Sequence, residues 1–182
     1  MGKAAMRKVA DLVYATLLAN ADGFFSNANG NLLKGADSAL SLISLSLAIQ
    51  AMRTQRDAEG NDLDIVPVTL LVPPELAVQA KSVLESEFIQ RMAEQPTGNS
   101  LRRAVALEVE PRLSNSVKFG GDASDHHWYL FAAPSAAPLV LAFLNCVQTP
   151  VVEFFGLEQA VDKLAVSWRV YHDFGTALCD PR

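Results

Sequence analysis

Two histidines stand side by side at His126 and His127, with Asp122 and Asp125 just ahead of them. Imidazoles and carboxylates are the donors that hold zinc and similar ions. The spacing argues against a site, because neighbouring residues of a strand point to opposite faces and share one ion poorly. A loop-to-strand junction is the expectation. His172 and Asp173 have the types of an acid–base pair, but consecutive side chains seldom face each other. They sit where a strand is expected to end at Gly175, which favours a turn. Glu108 and Glu110 share one strand face and read as solvated surface. Arg102 and Arg103 make a small basic spot on a loop edge, read as a subunit contact or plain surface, with nucleic acid a distant third.

Signatures of nucleophilic catalysis are absent. No Gly-x-Ser-x-Gly elbow occurs, and neither Cys146 nor Cys179 has an activating context. The two cysteines are far apart and lack metal spacing, so neither a disulfide scaffold nor a zinc ribbon is expected. Gly120-Gly121 alone makes no phosphate loop and no dinucleotide fingerprint. No catalytic, cofactor-binding or metal-ligating residue is assigned, and the chain reads as a non-enzyme.

The elements that must position these residues follow from periodicity. Residues 3–20 predict a helix whose stripe is Met6, Val9, Leu12, Val13, Thr16 and Leu17, widened by Tyr14 and Leu18. The sequence starts inside this pattern, so the helix reads as the tail of a longer one. Residues 20–37 hold four Asn, three Gly and two Asp, which favour turns, with Phe24 and Phe25 as anchors to the core. Asp37 or Ser38 can cap a helix running to about Gln55, with Leu40, Ile43, Leu47 and Met52 on one stripe and serines between. Residues 57–63 form a polar turn, and Ile65 to Val72 a strand that ends at Pro73 and Pro74. Pro74 suits the first turn of a helix, here Glu75 to about Met92, burying Leu76, Ala80, Val83, Leu84 and Phe88.

A loop at 95–100 follows, and then the chain turns to strands. Val105, Leu107 and Val109 alternate with Ala106, Glu108 and Glu110. Residues 114–125 read as a polar, Gly-rich loop. Short apolar strands follow at His127–Ala132, Leu139–Leu144 and Val151–Phe155. Leu164 to Tyr171 alternates again, with Leu164, Val166, Trp168 and Val170 on one face. Helices first and strands later indicate an α+β fold rather than a regular βαβ series.

Composition sets the outer bounds. The chain has 182 residues, half of them hydrophobic, which suffices for a core and rules out wholesale disorder. The net charge of −5 argues against a general nucleic-acid or anionic-membrane binder. The most apolar run, Ala136 to Val147, is 12 residues long and contains Pro138 and Asn145. A membrane span needs about 20. No cleavage site follows the basic N-terminus, and a reducing, cytosolic setting is expected.

Taken together, the segments resemble a known family. They are GKAAMRKVADLVYATLLAN at 2–20, ALSLISLSLAIQAMRTQRDAEGNDLDIVPVTLLVPPELAVQAKSVLESE at 39–87, ALEVEPRLS at 106–114, HHWYLFAAP at 126–134 and LAVSWRVYHDFGTALCDPR at 164–182. The strongest run is Gln55 to Ser86: a Q-x-D-x-x-G turn, then P-x-x-L-L-V-P-P-E-L, then a helix. Order and spacing resemble the C-terminal half of a tailed-phage major capsid protein of the Hong Kong 97 fold. More closely, they are similar to the prophage head-protein group sometimes fused behind a prohead protease.

The resemblance implies residues 1–29 as the end of the spine helix and a following loop of a peripheral domain. It implies residues 30–135 as the axial domain and 136–182 as strands returning to the peripheral domain. The implied function is a structural shell subunit, assembling with itself into hexamers and pentamers that enclose DNA. A scaffold or prohead protease would be a transient partner, with no cofactor, no specific nucleic acid and no membrane. The implied location is the virion, after assembly in the bacterial cytoplasm.

The family's clasping arm and extended loop lie upstream of the matching segments, so closed shells are not expected from this chain alone. Some relatives form Lys–Asn crosslinks that need that loop, and no crosslinking residue is carried over. Arg102 and Arg103 would meet Asp122 and Asp125 of a neighbour. An encapsulin-like nanocompartment shell is the alternative within the fold. An unrelated small α+β enzyme or binding domain is the alternative outside it, requiring a pocket that gathers His126, His172 or Asp173.

Overall fold

The computed structural model describes residues 2–35, 38–90, 96–136, 138–156, 166–179 and 181. Three helices and a run of strands come first: α1 (Gly2–Leu18), α2 (Leu42–Arg53), β1 (Pro67–Val72), α3 (Ala77–Glu85), β2 (Phe88–Gln90), β3 (Pro96–Gly98) and β4 (Ala106–Val109). Then follow α4 (Ser116–Phe119), β5 (Tyr129–Ala132), β6 (Leu139–Phe143), β7 (Val151–Phe155), β8 (Ser167–Tyr171) and β9 (Phe174–Leu178). The fold is mixed α+β.

Strand β1 is the pivot, because successive side chains of a strand serve opposite faces. Leu70 and Val72 join Leu40, Leu45, Ala80, Leu84 and Val105 on the side of α2 and α3. Leu71 joins Leu17, Leu18 and Leu113 on the side of α1, with Tyr14, Phe25 and Tyr129 packed around them. Burial on both faces is why Leu70, Leu71 and Val72 form an unbroken apolar run. Each such side chain contributes about 1.5–3 kcal/mol of burial energy.

Beside β1, β4 runs parallel, with Leu70 opposite Leu107, and β5 antiparallel, with Leu70 opposite Leu130. A parallel pair demands a crossover, which α3 and the β2–β3 hairpin supply. One βαβ step is therefore embedded in the α+β fold, a step that the helices-first reading does not contain.

Helix α2 corrects the expected stripe. Ser44, Leu45 and Ala48 are buried, while Ile43 is 69% exposed and Leu47 is exposed as well. The cap decides the phase. Ser41, not Ser38, begins the helix; its Oγ accepts the Ser44 N–H (3.1 Å), and Ser44 Oγ accepts the Ser41 N–H (2.8 Å). Ser44 Oγ also donates to the Ala39 carbonyl at 2.7 Å, which turns this residue inward. Asp37, the other expected cap, lies outside the described residues. Helix α1 keeps most of its expected stripe: Val9, Leu17 and Leu18 are buried and Val13, Tyr14 and Thr16 half-buried, whereas Met6 and Leu12 are exposed.

Helix α3 ends at Glu85, well before Met92, which lies outside the described residues. Asn99 closes it by donating through Nδ2 to the carbonyls of Val83 (2.7 Å) and Ser86 (3.0 Å). Arg103 adds its backbone N–H to the Leu84 carbonyl at 2.9 Å. These bonds satisfy carbonyls that a helix end leaves free. Phe88, expected on the helix, opens β2 opposite Gly98, so the stretch read as a loop at 95–100 supplies β3. The loop read at 114–125 contains α4 and short helical turns, tied by Asn115 Oδ1 to the Lys118 N–H (3.2 Å) and by the Ser124 N–H to the Leu113 carbonyl (2.8 Å).

The last four strands are nested: β7 pairs with β8 inside the pair β6–β9. Residues 144–150 intervene on one side and only His172 and Asp173 on the other, so the ribbon consists of two separate two-stranded pairs joined through an irregular excursion. Gly175 does not end a strand; it lies within β9, opposite Ala142. The β9 end of the ribbon lies along α1, where the hydroxyls of Thr16 and Thr176 hydrogen-bond. The face carrying Val166, Trp168 and Val170 alternates as expected but points to solvent, and Leu164 lies outside the described residues.

Candidate functional site

The most elaborate polar arrangement joins elements that lie far apart in sequence. Arg112, on the turn after β4, donates through Nε to Asp11 of α1 (3.1 Å) and through Nη1 to both carboxylate oxygens of Glu110 (3.0 Å each). Lys118 of α4 forms an ion pair with the other Asp11 oxygen. The Arg112 guanidinium lies 5.6 Å from the centre of the Tyr14 ring. Only 13% of the Asp11 side chain and 28% of the Arg112 side chain remain exposed.

The hydrogen bond from Lys118 is the main force holding the Asp11 carboxyl below its ordinary range; burial opposes it, and Arg112 assists. Burial, reinforced by the Glu110 carboxylate, pushes the Tyr14 hydroxyl up to about 12. The arrangement is a clip that fastens α1 to the segment after β4. It corrects the reading of Glu110 as solvated surface. Asp11 and Arg112 are 101 positions apart, and no local spacing announces their pairing.

The residues proposed from sequence as contacts lie on turns around β4. Arg102 pairs within its own chain, with Glu87 at 3.6 Å, and both side chains are substantially exposed. Arg103 is exposed and holds a left-handed backbone (φ 57°). Asp122 is exposed on the turn after α4, and an Asp125 carboxylate oxygen lies 3.4 Å from Nε2 of the exposed His126. No ion pair joins the arginines to these aspartates within the chain, among the described residues. Next to Arg102, Leu101 and Ser100 border a shallow groove of about 130 Å³ together with Leu42, Ile43 and Leu47. An apolar strip and a cationic turn are thus adjacent on one flank.

The Q-x-D-x-x-G motif is a hydrogen-bonded turn. Asp57 Oδ1 accepts the N–H groups of Glu59 (2.9 Å) and Asn61 (2.8 Å), and Gly60 takes φ 88°, which a Cβ would strain. Arg53–Asp64 and Arg56–Asp62, each at 2.8 Å, close the loop on its exposed side. This geometry explains the motif as a structural device without reactive groups.

A cleft of about 700 Å³ opens between the 20–35 loop, α2 and β5. Asp122, His126 and His127 reach its rim, but His172 and Asp173 do not line it. His172 instead sits in the ribbon, its ring 5.4 Å from Phe143 and 5.0 Å from Phe174. Among the described residues, no three His, Cys, Asp or Glu side chains gather in a way that could hold a metal ion. Both cysteines are free and exposed. No helix among the described residues is long and apolar enough to cross a membrane.

Comparison with known proteins returns no match among curated proteins or solved structures. The family described as Phage capsid protein matches residues 1–182. The match spans the whole sequence, and the chain therefore belongs to the phage capsid proteins, structural subunits that self-assemble into the virion shell.

Proposed function

We propose that the chain is a shell subunit of the Hong Kong 97 type, with residues 1–29 and 136–182 in a peripheral domain and 30–135 in an axial domain. The observation that carries this division is the placement of β9 along α1, the last strand against the first helix. That packing supports a peripheral layer built from both ends of the sequence. The sheet β4-β1-β5 with α2 and α3 then forms a wedge between them.

In this reading, copies of the wedge surround hexamer and pentamer axes and the shell encloses DNA. Rings of this kind join one flank of a subunit to the other flank of its neighbour. Arg102 and Arg103 on one copy meet Asp122 and Asp125 on the next. Exposed pairs contribute about 0–1 kcal/mol each, so they set register while apolar contacts hold the ring. The acidic balance suits a wall around packaged DNA, which repels the polymer rather than binding it. A scaffold or prohead protease acts only during assembly, in the bacterial cytoplasm.

Negative-stain microscopy of the protein extended by an N-terminal clasping arm, beside this chain alone, tests the reading. Rings or shells are expected from the extended protein. Protein that stays unassembled under every condition, or a chain that copurifies with an enclosed enzyme cargo, refutes it.

A further inference from the structure

The β7–β8 half of the ribbon has two unlike faces. On one, Glu153 and Arg169 stand opposite each other and pair at 2.6 Å, and the guanidinium lies 5.6 Å from the Phe155 ring centre and 5.4 Å from that of Tyr171. That face is satisfied by its own side chains. On the other, Val152 stands opposite Val170 and Phe154 opposite Trp168. The Phe154 and Trp168 rings meet edge to face at 5.9 Å. Among the described residues nothing covers them: Val152 is 58%, Phe154 65% and Trp168 59% exposed. Among the described residues, no third strand joins this pair. A two-stranded ribbon alone is marginal in water.

We infer that the Val152–Phe154–Trp168–Val170 face docks against a second copy of this chain. The inference rests on the shell reading, in which copies are the abundant partner. The face carries no charged side chain, which excludes a phosphate backbone as its occupant. Its two aromatics are of the kind that dominate binding energy at protein interfaces. Area limits the strength. At their present exposure the four side chains offer on the order of 300–400 Å², taking about 150–250 Å² for a whole buried aromatic. A stable interface needs about 800 Å² per partner. One such contact is therefore weak, and it suits an array in which each subunit is held at several places at once.

The test uses the full chain carrying Trp128→Phe, which leaves Trp168 as its only tryptophan. Sedimentation mass, Trp168 emission and acrylamide quenching are followed up to about 1 mM, where weak contacts form. The expected result is a mass rising above 19.6 kDa, with a blue shift and about twofold less quenching as it rises. Phe154→Glu, or separately Val152→Lys, should abolish all three changes and leave the melting temperature unaltered. Association that persists unchanged in both variants overturns the ribbon contact and leaves the shell reading standing. Trp168 already shielded in the dilute monomer overturns it too, because the chain then covers its own face. A mass that never rises also overturns it, and the microscopy above decides separately whether the shell reading falls with it.

Discussion

Replacing Arg112 by alanine should unfasten α1 without touching the main core. The substitution removes the bond to Asp11 at 3.1 Å, both bonds to Glu110 at 3.0 Å and the contact with Tyr14. A hydrogen bond to a charged group nets about 1.5–3 kcal/mol. Solvent still reaches 28% of the Arg112 side chain, and Lys118 continues to cover Asp11. Screening and this remaining partner bring the expected loss to about 2 kcal/mol in total. For a chain of this size each kcal/mol moves the midpoint by roughly 2–4 °C, so Tm should fall about 4–8 °C. Arg112→Lys keeps the charge but loses the planar fork, and should recover about half. The assay is thermal melting by circular dichroism, with amide exchange read across Val9 to Leu18. Exchange should quicken in α1, and in β1 by no more than the fall in global stability implies. Arg56→Ala, which breaks the fully exposed pair with Asp62, is the control and should give no measurable shift. A fall in Tm below about 1 °C for Arg112→Ala, or α1 protection equal to that of the parent, refutes the clip.

Three further outcomes are expected. Ser44→Ala removes the side-chain half of the cap, the bond from the Ser41 N–H, and the bond to Ala39 at a fully buried site, while the Ser44 N–H still reaches Ser41; the loss should be about 1–2 kcal/mol and lower Tm by roughly 3–6 °C, and an unchanged melt contradicts the capping account. Asp11 is held below its ordinary value of 3.8 in the folded chain, so its stabilisation is complete above that pH and disappears as pH falls through the folded value. An acid titration from pH 5 to pH 2 should therefore quicken exchange in α1 before β1, and Asp11→Asn should remove the difference. Charge reversal at Arg102 and Arg103 together should impair ring assembly in microscopy with Tm nearly unchanged, because both side chains are exposed; an unfolded monomer would show that these turns are structural instead.

What the sequence discloses depends on how local the cause is. β4, with its alternation, and β1, bounded by Pro73, are readable because period and punctuation belong to adjacent residues. The phase of α2 is not, because two apolar stripes compete and a serine, not a leucine, takes the inward place through its cap. The length of α3 is hidden for a related reason: Asn99 ends the helix from 13 positions beyond Ser86. Strand order is invisible to any window, since β1 meets β4 only through a crossover and β6 meets β9 around a nested pair. The clip shows the limit most clearly. Asp11 reads as a polar position of a helix and Arg112 as a turn residue, and only the fold makes them partners.

The joining of the first helix to the last strand also sets a timetable. Thr16 and Thr176 are 160 positions apart, and Asn31 reaches 150 positions to the Pro181 carbonyl at 2.9 Å. A ribosome adds about 5–20 residues each second, so α1 waits roughly 8–30 s after its own synthesis for the strand it lies on. The wedge around β1 can form meanwhile, since its strands and helices are complete by Ala132. Chains synthesised only as far as Ala132 thus carry one finished flank and one unfinished layer. Synthesis of β9, rather than concentration alone, becomes the event that makes a subunit ready for its neighbours.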